Sequence, residues 1–146
     1  MEKAITKFRG EHAFLSNFFG AEIRIGNNTY STNEHAFHAA KCVDPAQHVL
    51  ILNAKSPAEA KSIGKEVTLK PNWLEIQDEI MFFINMVKYT THFDLKQKLL
   101  ATGSRELVEG NWWGDTYWGV CNGAGENRLG KILMRIRYIM GGAIGE

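Results

Sequence analysis

Three side chains that can handle protons recur at helical spacing between residues 34 and 41. In an α-helix, Glu34, His38 and Lys41 stand at positions i, i+4 and i+7, so a carboxylate, an imidazole and an amine share one face. These groups can transfer protons and stabilise a developing positive charge, so the face is a candidate catalytic surface. A second interpretation stays open, because Ser31 and Glu34 also fit a capping box that only closes the first helical turn.

A glycine-rich segment near the end of the chain is a second candidate. Gly123 and Gly125 precede a predicted helix start at Asn127, where free backbone amides and small residues favour the approach of an anion. The third glycine of a dinucleotide fingerprint is replaced by Arg128, and no Gly-Lys-Ser/Thr follows, so neither that motif nor a P-loop is present. The segment therefore fits either a phosphate cradle or a plain loop.

Four tryptophans can supply flat rings for stacking on a base. We interpret Trp112 and Trp113 as structural residues of a loop, whereas Trp73 and Trp118 each fit either the core or the wall of a ligand pocket. Asp115, three residues before Trp118, is either an acid of the site or an Asx turn that supports the loop.

Hydrophobic periodicity and turn residues predict the elements that position these groups. A short hairpin ends the segment 12–30, with its turn at Asn27 and Asn28. Three helices come next: one contains Glu34, the second begins at the Asp44-Pro45 cap, and the third runs from the Ser56 capping box to Gly64. A short strand is predicted at 67–69 and a helix at 73–91. Asp94 caps a further helix that ends near 102–103, and the last helix begins at about Asn127.

The two long helices are predicted to be amphipathic. In the helix at 73–91, the core face carries Ile76, Ile80, Phe83 and Val87, with Glu75, Asp78, Glu79 and Lys88 turned elsewhere. In the last helix, the core face carries Leu129, Ile132, Leu133 and Ile136, and the solvent face carries Lys131, Arg135 and Arg137.

The elements and the composition favour an α+β fold, as one helix-rich domain over residues 1–146 with a few short strands. A net charge of +1 argues against a protein that mainly grips nucleic-acid backbones, since those carry a basic excess. Cys42 and Cys121 lack metal-site spacing and are expected to be small buried side chains. No signal peptide or membrane span is evident, so we expect a cytoplasmic protein with reduced thiols.

Five segments in order carry a family resemblance: residues 14–18 (FLSNF), 31–41, 56–65, 117–119 (YWG) and 125–131 (GENRLGK). Together, from about residue 8 to 137, the chain resembles the YbiA-like family, also called NADAR. The resemblance implies an N-glycosidase that cleaves the bond between a ribose carbon and a nitrogen. Its substrates would be phosphoribosylamino pyrimidine intermediates of riboflavin synthesis or ADP-ribosylated guanine.

The resemblance also implies roles for individual residues. Glu34 would stabilise the cation-like sugar and deprotonate water. Lys41 would protonate the leaving nitrogen, bind a phosphate or form a Schiff base with the opened sugar, and Asp115 would be a second acid. Substrate contacts would come from Asn17, Phe18, His38, Trp73, Trp118, Gly119 and Asn127. Neither a metal nor a cofactor is expected.

Two departures from the family pattern bear on specificity. His38 stands where glutamine is usual. Lys65 stands where arginine is usual, so the positive charge remains but the bidentate contact that an arginine makes with a phosphate is lost. Two other function classes stay open: a module that binds NAD or ADP-ribose without turnover, and a protein that docks a partner through its Trp-rich loop. The expected partner is a small riboside or ADP-ribosyl substrate, including one on nucleic acid; the sequence does not indicate the oligomeric state.

Overall fold

The computed structural model describes residues 2–141 of the chain. Over this range the chain forms two compact units. We call residues 17–91 the central unit, and residues 2–16 together with 92–141 the terminal unit. In the part of the chain that the structure describes, no helix has both the length and the apolar character needed to cross a membrane.

The central unit consists of a hairpin followed by four helices: β1 (Gly20–Ile25), β2 (Asn28–Thr32), α1 (Asn33–Ala40), α2 (Pro45–Leu52), α3 (Pro57–Gly64) and α4 (Trp73–Thr91). The two strands are antiparallel, and Gly26 takes a left-handed conformation (φ 62°) at the turn between them. Helix α1 packs against the hairpin and against the other three helices. Seven of its eight residues are buried, so this unit places the candidate catalytic face in its interior.

The terminal unit combines a 3₁₀ helix with two α-helices and two very short strands: the 3₁₀ helix is Gly10–Leu15, and the rest are α5 (Phe93–Ala101), β3 (Gly110–Asn111), β4 (Val120–Cys121) and α6 (Arg128–Ile139). Strands β3 and β4 pair in parallel. Buried side chains on α5 and α6 include Leu95, Leu99, Leu133 and Ile136. The loops around β3 and β4 carry the Trp-rich and glycine-rich segments.

The fold class is confirmed as helix-rich α+β with a few short strands. The predicted hairpin and the helix at 73–91 are present. Two predicted caps are confirmed as well, since Asp44 accepts from the Ala46 amide at 2.9 Å and Ser56 from the Glu59 amide at 3.0 Å. Cys42 and Cys121 are free and buried, as expected.

Three local predictions are wrong. Helix α1 is capped by Thr32, whose side chain accepts from the His35 amide, while Ser31 lies in β2; the Ser31–Glu34 capping box does not form. A strand at 67–69 is reduced to an isolated bridge between Leu69 and Cys42, because only this pair meets. Asp94 is in the first turn of α5, and the cap position falls on His92 without a side-chain bond.

The buried face of α4 also differs from the prediction. Ile76, Ile80 and Val87 are only partly covered and Phe83 is 49% exposed, whereas the buried residues are Trp73, Met81, Ile84, Asn85, Lys88 and Tyr89. On α6, Arg137 was expected in solvent but is fully buried and donates through Nη1 to Thr102 Oγ1 and to the Arg105 carbonyl. Polar side chains with internal partners thus define core faces that apolar spacing does not reveal.

Lys88 makes the stability of the fold depend on pH. Burial lowers the pKa of its ammonium from 10.5 to about 7, and its Nζ lies 5.6 Å from the centre of the Phe19 ring. Since the unfolded chain keeps this proton up to the ordinary pKa, unfolding takes up a proton between about pH 7 and 10.5. The Lys88 contribution to the free energy of unfolding therefore rises with pH over this window.

We expect the free energy of unfolding of the wild-type protein to rise relative to Lys88→Met between pH 7 and 9. The slope of the difference should approach about 1.4 kcal/mol per pH unit, the free-energy equivalent of one bound proton. Urea unfolding of both proteins at pH 7, 8 and 9 measures it. Parallel pH profiles would show that Lys88 keeps its ordinary pKa in the folded protein.

Candidate active site

Glu34 and His38 form a buried pair on α1. Both lie on the inward side of the helix, with only 9% and 6% of their surfaces exposed. His38 Nε2 is 2.7 Å from Glu34 Oε1, the geometry of a strong hydrogen bond. The predicted i, i+4 stripe is therefore real, and the side chain of Glu34 bonds to an imidazole instead of closing a capping box.

Three buried asparagines fix the start of the same helix. Asn33 Nδ2 donates to Asn17 Oδ1 at 3.0 Å and to Asn85 Oδ1 at 2.9 Å, while Asn85 Nδ2 donates to the Met81 carbonyl at 3.1 Å. The backbone carbonyl of Asn17 accepts from the Glu34 amide at 3.0 Å. This network ties the loop at Asn17 and helix α4 to the first turn of α1, and so sets the position of the Glu34 backbone.

Lys41 follows at the C-terminal end of α1 and is half-buried. Its Nζ lies 5.7 Å from the centre of the Phe37 ring, which in turn packs against Trp73 at 5.2 Å. Burial lowers the pKa of the Lys41 ammonium, and the charge of Glu34 acts in the opposite direction. The third member of the stripe is thus within the electrostatic reach of the carboxylate.

Further cations surround this cluster within the central unit. The charges of Lys61 and Lys65 lower the pKa of Lys41 further. Lys61 Nζ lies 6.0 Å from the centre of the Phe18 ring, and Phe18 is 41% exposed. Trp73, by contrast, is 4% exposed, so its indole packs in the core in this structure. The unit therefore brings together Glu34, His38, Lys41, Phe18 and Asn17 around one helix.

In the terminal unit, Asp115 organises the loop that carries Trp118. Its Oδ1 accepts from the amides of Tyr117 and Trp118 at 3.1 and 2.9 Å, which is an Asx turn. The side chain of Asn111 holds the same turn through the carbonyl and the amide of Asp115. One carboxylate oxygen of Asp115 is thus engaged by its own loop, and Trp118 rests edge-on against Tyr117 at 4.8 Å.

Asn127 is buried, and its side chain hydrogen-bonds to other segments of the terminal unit. It has a left-handed conformation (φ 51°), accepts from the Glu109 amide at 2.9 Å and donates to the Leu107 carbonyl at 2.9 Å. Gly119 and Gly125 pack so closely that a Cβ on Gly125 would collide with the Gly119 carbonyl. Both ends of the Asn127 amide are therefore used inside the unit; its predicted ligand contact stays a prediction.

The tandem tryptophans lie in the loop after β3, and Trp112 is exposed to solvent. Its ring is 69% exposed, and the Arg9 guanidinium lies 3.9 Å above its centre. Trp112 and Arg9 line an open cavity of about 390 Å³, together with Lys7, Asn111 and Gly123. Exposed indole next to cationic groups suits an anionic or aromatic ligand, and the only sequence signal for it is two tryptophans in a loop.

The NADAR domain family model matches residues 6–140. The chain belongs to the NADAR domain family. The match covers nearly the whole chain, so the NADAR pattern includes both the buried stripe of α1 and the loops around β3 and β4.

Relatives within the NADAR family share most of this chain. N-glycosidase YbiA of Shigella flexneri serotype 5b is 35% identical over 130 residues, which are 87% of this chain and 81% of the relative. The NMR structure of YbiA from E. coli matches with a TM-score of 0.85 at 32% identity, over 96% of this chain and 86% of that one. A protein of Vibrio vulnificus named riboflavin biosynthesis protein VVA0006 is 34% identical over 86% of this chain and 35% of its own length.

Proposed function

We propose that this NADAR protein hydrolyses the N-glycosidic bond between a ribose carbon and a nitrogen. The observation that carries the proposal is the buried Glu34 carboxylate, held by His38 and set within reach of the half-buried amine of Lys41. A buried acid with a fixed orientation is typical of catalytic carboxylates, because burial is unfavourable for a charge without a role or a partner. The names of the YbiA relatives support the same reaction.

Glu34 acts where positive charge develops. Cleavage of a ribosyl C–N bond passes through a cation-like sugar, which a nearby carboxylate stabilises. The same carboxylate accepts a proton from the attacking water, so that the water oxygen bonds to the sugar carbon as the nitrogen leaves. His38 is bonded to Oε1, so Oε2 is the oxygen that is left to meet the substrate.

Lys41 acts on the leaving nitrogen or on the opened sugar. Desolvation and the neighbouring charges of Lys61 and Lys65 lower its pKa. The ammonium then gives its proton to the nitrogen more readily, and the neutral amine that attacks an aldehyde is easier to form. Lys61 and Lys65 bind the phosphate of the substrate. Lys61 is partly exposed on α3, and Lys65 is exposed at the C-terminal cap of the same helix. The partly exposed Phe18 offers a ring for the base or sugar.

We infer two substrate classes, phosphoribosylamino pyrimidines and ADP-ribosylated guanine. The name of the Vibrio vulnificus relative favours the pyrimidine intermediates of riboflavin synthesis. Both classes join a phosphate-bearing ribose to a nitrogen, which suits a carboxylate with lysines close by. In the terminal unit, Asp115 and Asn127 act by holding the loops of Trp118 and Gly119 in place.

Incubation of the purified protein with each substrate class tests the proposal. Released base or amine and free ribose phosphate or ADP-ribose, separated by chromatography, are the expected products. Thermal stabilisation by ADP-ribose or ribose phosphate without any release would instead indicate a binding module. Neither release nor stabilisation with both classes would overturn the proposed function.

A further inference from the structure

Gly64 occupies a position where the backbone does not require glycine. It is the last residue of α3, and the following Lys65 is also right-handed helical. Gly64 is not among the residues with a left-handed φ. Glycine weakens a helix relative to alanine, so its presence here needs another reason than backbone conformation.

The reason is the imidazole of His38. A Cβ built on Gly64 would lie 2.9 Å from His38 Cβ and 2.6 Å from Cγ, and closer still to Nδ1. These are atoms near the root of a side chain on a buried helix, so they have little freedom to move aside. The absence of a side chain at position 64 therefore makes room for the His38 ring in the place where it reaches Glu34.

The same packing selects the tautomer of His38. Nε2 is bonded to Glu34 Oε1, whereas Nδ1 is buried without a hydrogen-bond partner among the described residues. A proton on Nδ1 would be a buried donor without an acceptor, which is costly, while an unprotonated nitrogen against the Gly64 methylene is tolerated. The proton therefore belongs on Nε2, which donates to Glu34, and Glu34 is the acceptor as a carboxylate.

We infer that His38 and Gly64 together form a positioning pair for Glu34. His38 holds the carboxylate through Oε1 and so leaves Oε2 for the substrate, and Gly64 contributes by leaving room for the ring. This inference rests on the proposed function, because it assigns the role of a base to the carboxylate that the pair holds. His38 is thus a positioning residue that acts through Glu34.

Gly64→Ala tests the pair through activity. We expect kcat to fall by at least about tenfold with KM changed less than twofold, since the displaced ring no longer orients Glu34. When His38→Gln is already present, Gly64→Ala should lower kcat by a factor at least about threefold smaller than in the wild-type protein. The reason is that a glutamine side chain can turn away from the new methyl group. Gly20→Ala is the matched control, since Gly20 lies in the same unit with open space around its Cβ position.

Nitrogen NMR of the imidazoles tests the pair without any substrate. His35 lies on the same helix with both ring nitrogens partnered, to Thr32 and to the Ala54 carbonyl, and serves as the internal reference. The wild-type protein should show His38 with its proton on Nε2, and Gly64→Ala should disturb that signal. A wild-type proton on Nδ1, or equal Gly64→Ala losses in both backgrounds, overturns the inference. The expected NMR result without N-glycosidase activity would overturn the proposed function alone.

Discussion

Glu34→Gln is expected to lower kcat on the cleaved riboside by roughly 10²- to 10⁴-fold, the range that a positioned proton-transfer group contributes. Glutamine keeps the shape of the side chain, and its amide oxygen can still accept the hydrogen bond that His38 donates to Oε1. It cannot carry negative charge beside a cation-like sugar, nor take a proton from water. The loss should therefore appear in kcat, with KM close to the wild-type value.

The matched control is Glu59→Gln, the same chemical change on an exposed residue of α3 in the same unit. It should leave kcat within about twofold, because surface substitutions away from a site have small effects. Steady-state kinetics on both variants, with circular dichroism to confirm the fold, make the comparison. Equal turnover by the wild-type protein and Glu34→Gln would remove Glu34 from the mechanism.

The sequence predicts the candidate site better than it predicts what holds the site in place. The spacing of Glu34 and His38 alone puts them on one helical face, because one rotation per 3.6 residues is a local property. Caps at Asp44 and Ser56 are local too, and both are confirmed. Whether that face points into the protein or into water depends on what packs against it, so the sequence of this helix alone does not exclude the capping-box interpretation.

The supports are long-range and polar, which is why periodicity does not find them. Asn85 reaches Asn33 across 52 residues of sequence. The helical spacing places Lys88 and Arg137 away from the predicted core faces, yet only 1% and 0% of their surfaces are exposed. Gly64 ends α3 as predicted, but the sequence gives no sign that a side chain there would collide with His38 of another helix. Each of these positions is determined by a partner far away in the sequence.

Lys41→Met is expected to reduce kcat by at least about 100-fold, because it removes the amine that acts on the leaving nitrogen or the opened sugar. Lys41→Arg should be almost equally impaired. Its guanidinium keeps a positive charge at every working pH, so it can hold a phosphate but can neither form an imine nor readily give up a proton. Burial lowers the pKa of Lys41, which makes its ammonium a better proton donor to the leaving nitrogen and makes the neutral amine needed for an imine easier to form.

Steady-state kinetics separate these roles when Lys41→Met and Lys41→Arg are measured beside Lys55→Met, an exposed lysine of the same unit. Restoration of activity by arginine would assign Lys41 to phosphate binding and contradict both proposed tasks. If arginine does not restore it, borohydride added during turnover distinguishes the two. A Schiff base forms between Nζ and the sugar aldehyde with loss of water, and borohydride would reduce it to a stable secondary amine. The wild-type protein would gain the mass of the sugar less one oxygen atom, and the variants would gain none. Full activity without an adduct would leave proton donation to the departing nitrogen as the task of Lys41, since the loss on Lys41→Met then has no covalent cause.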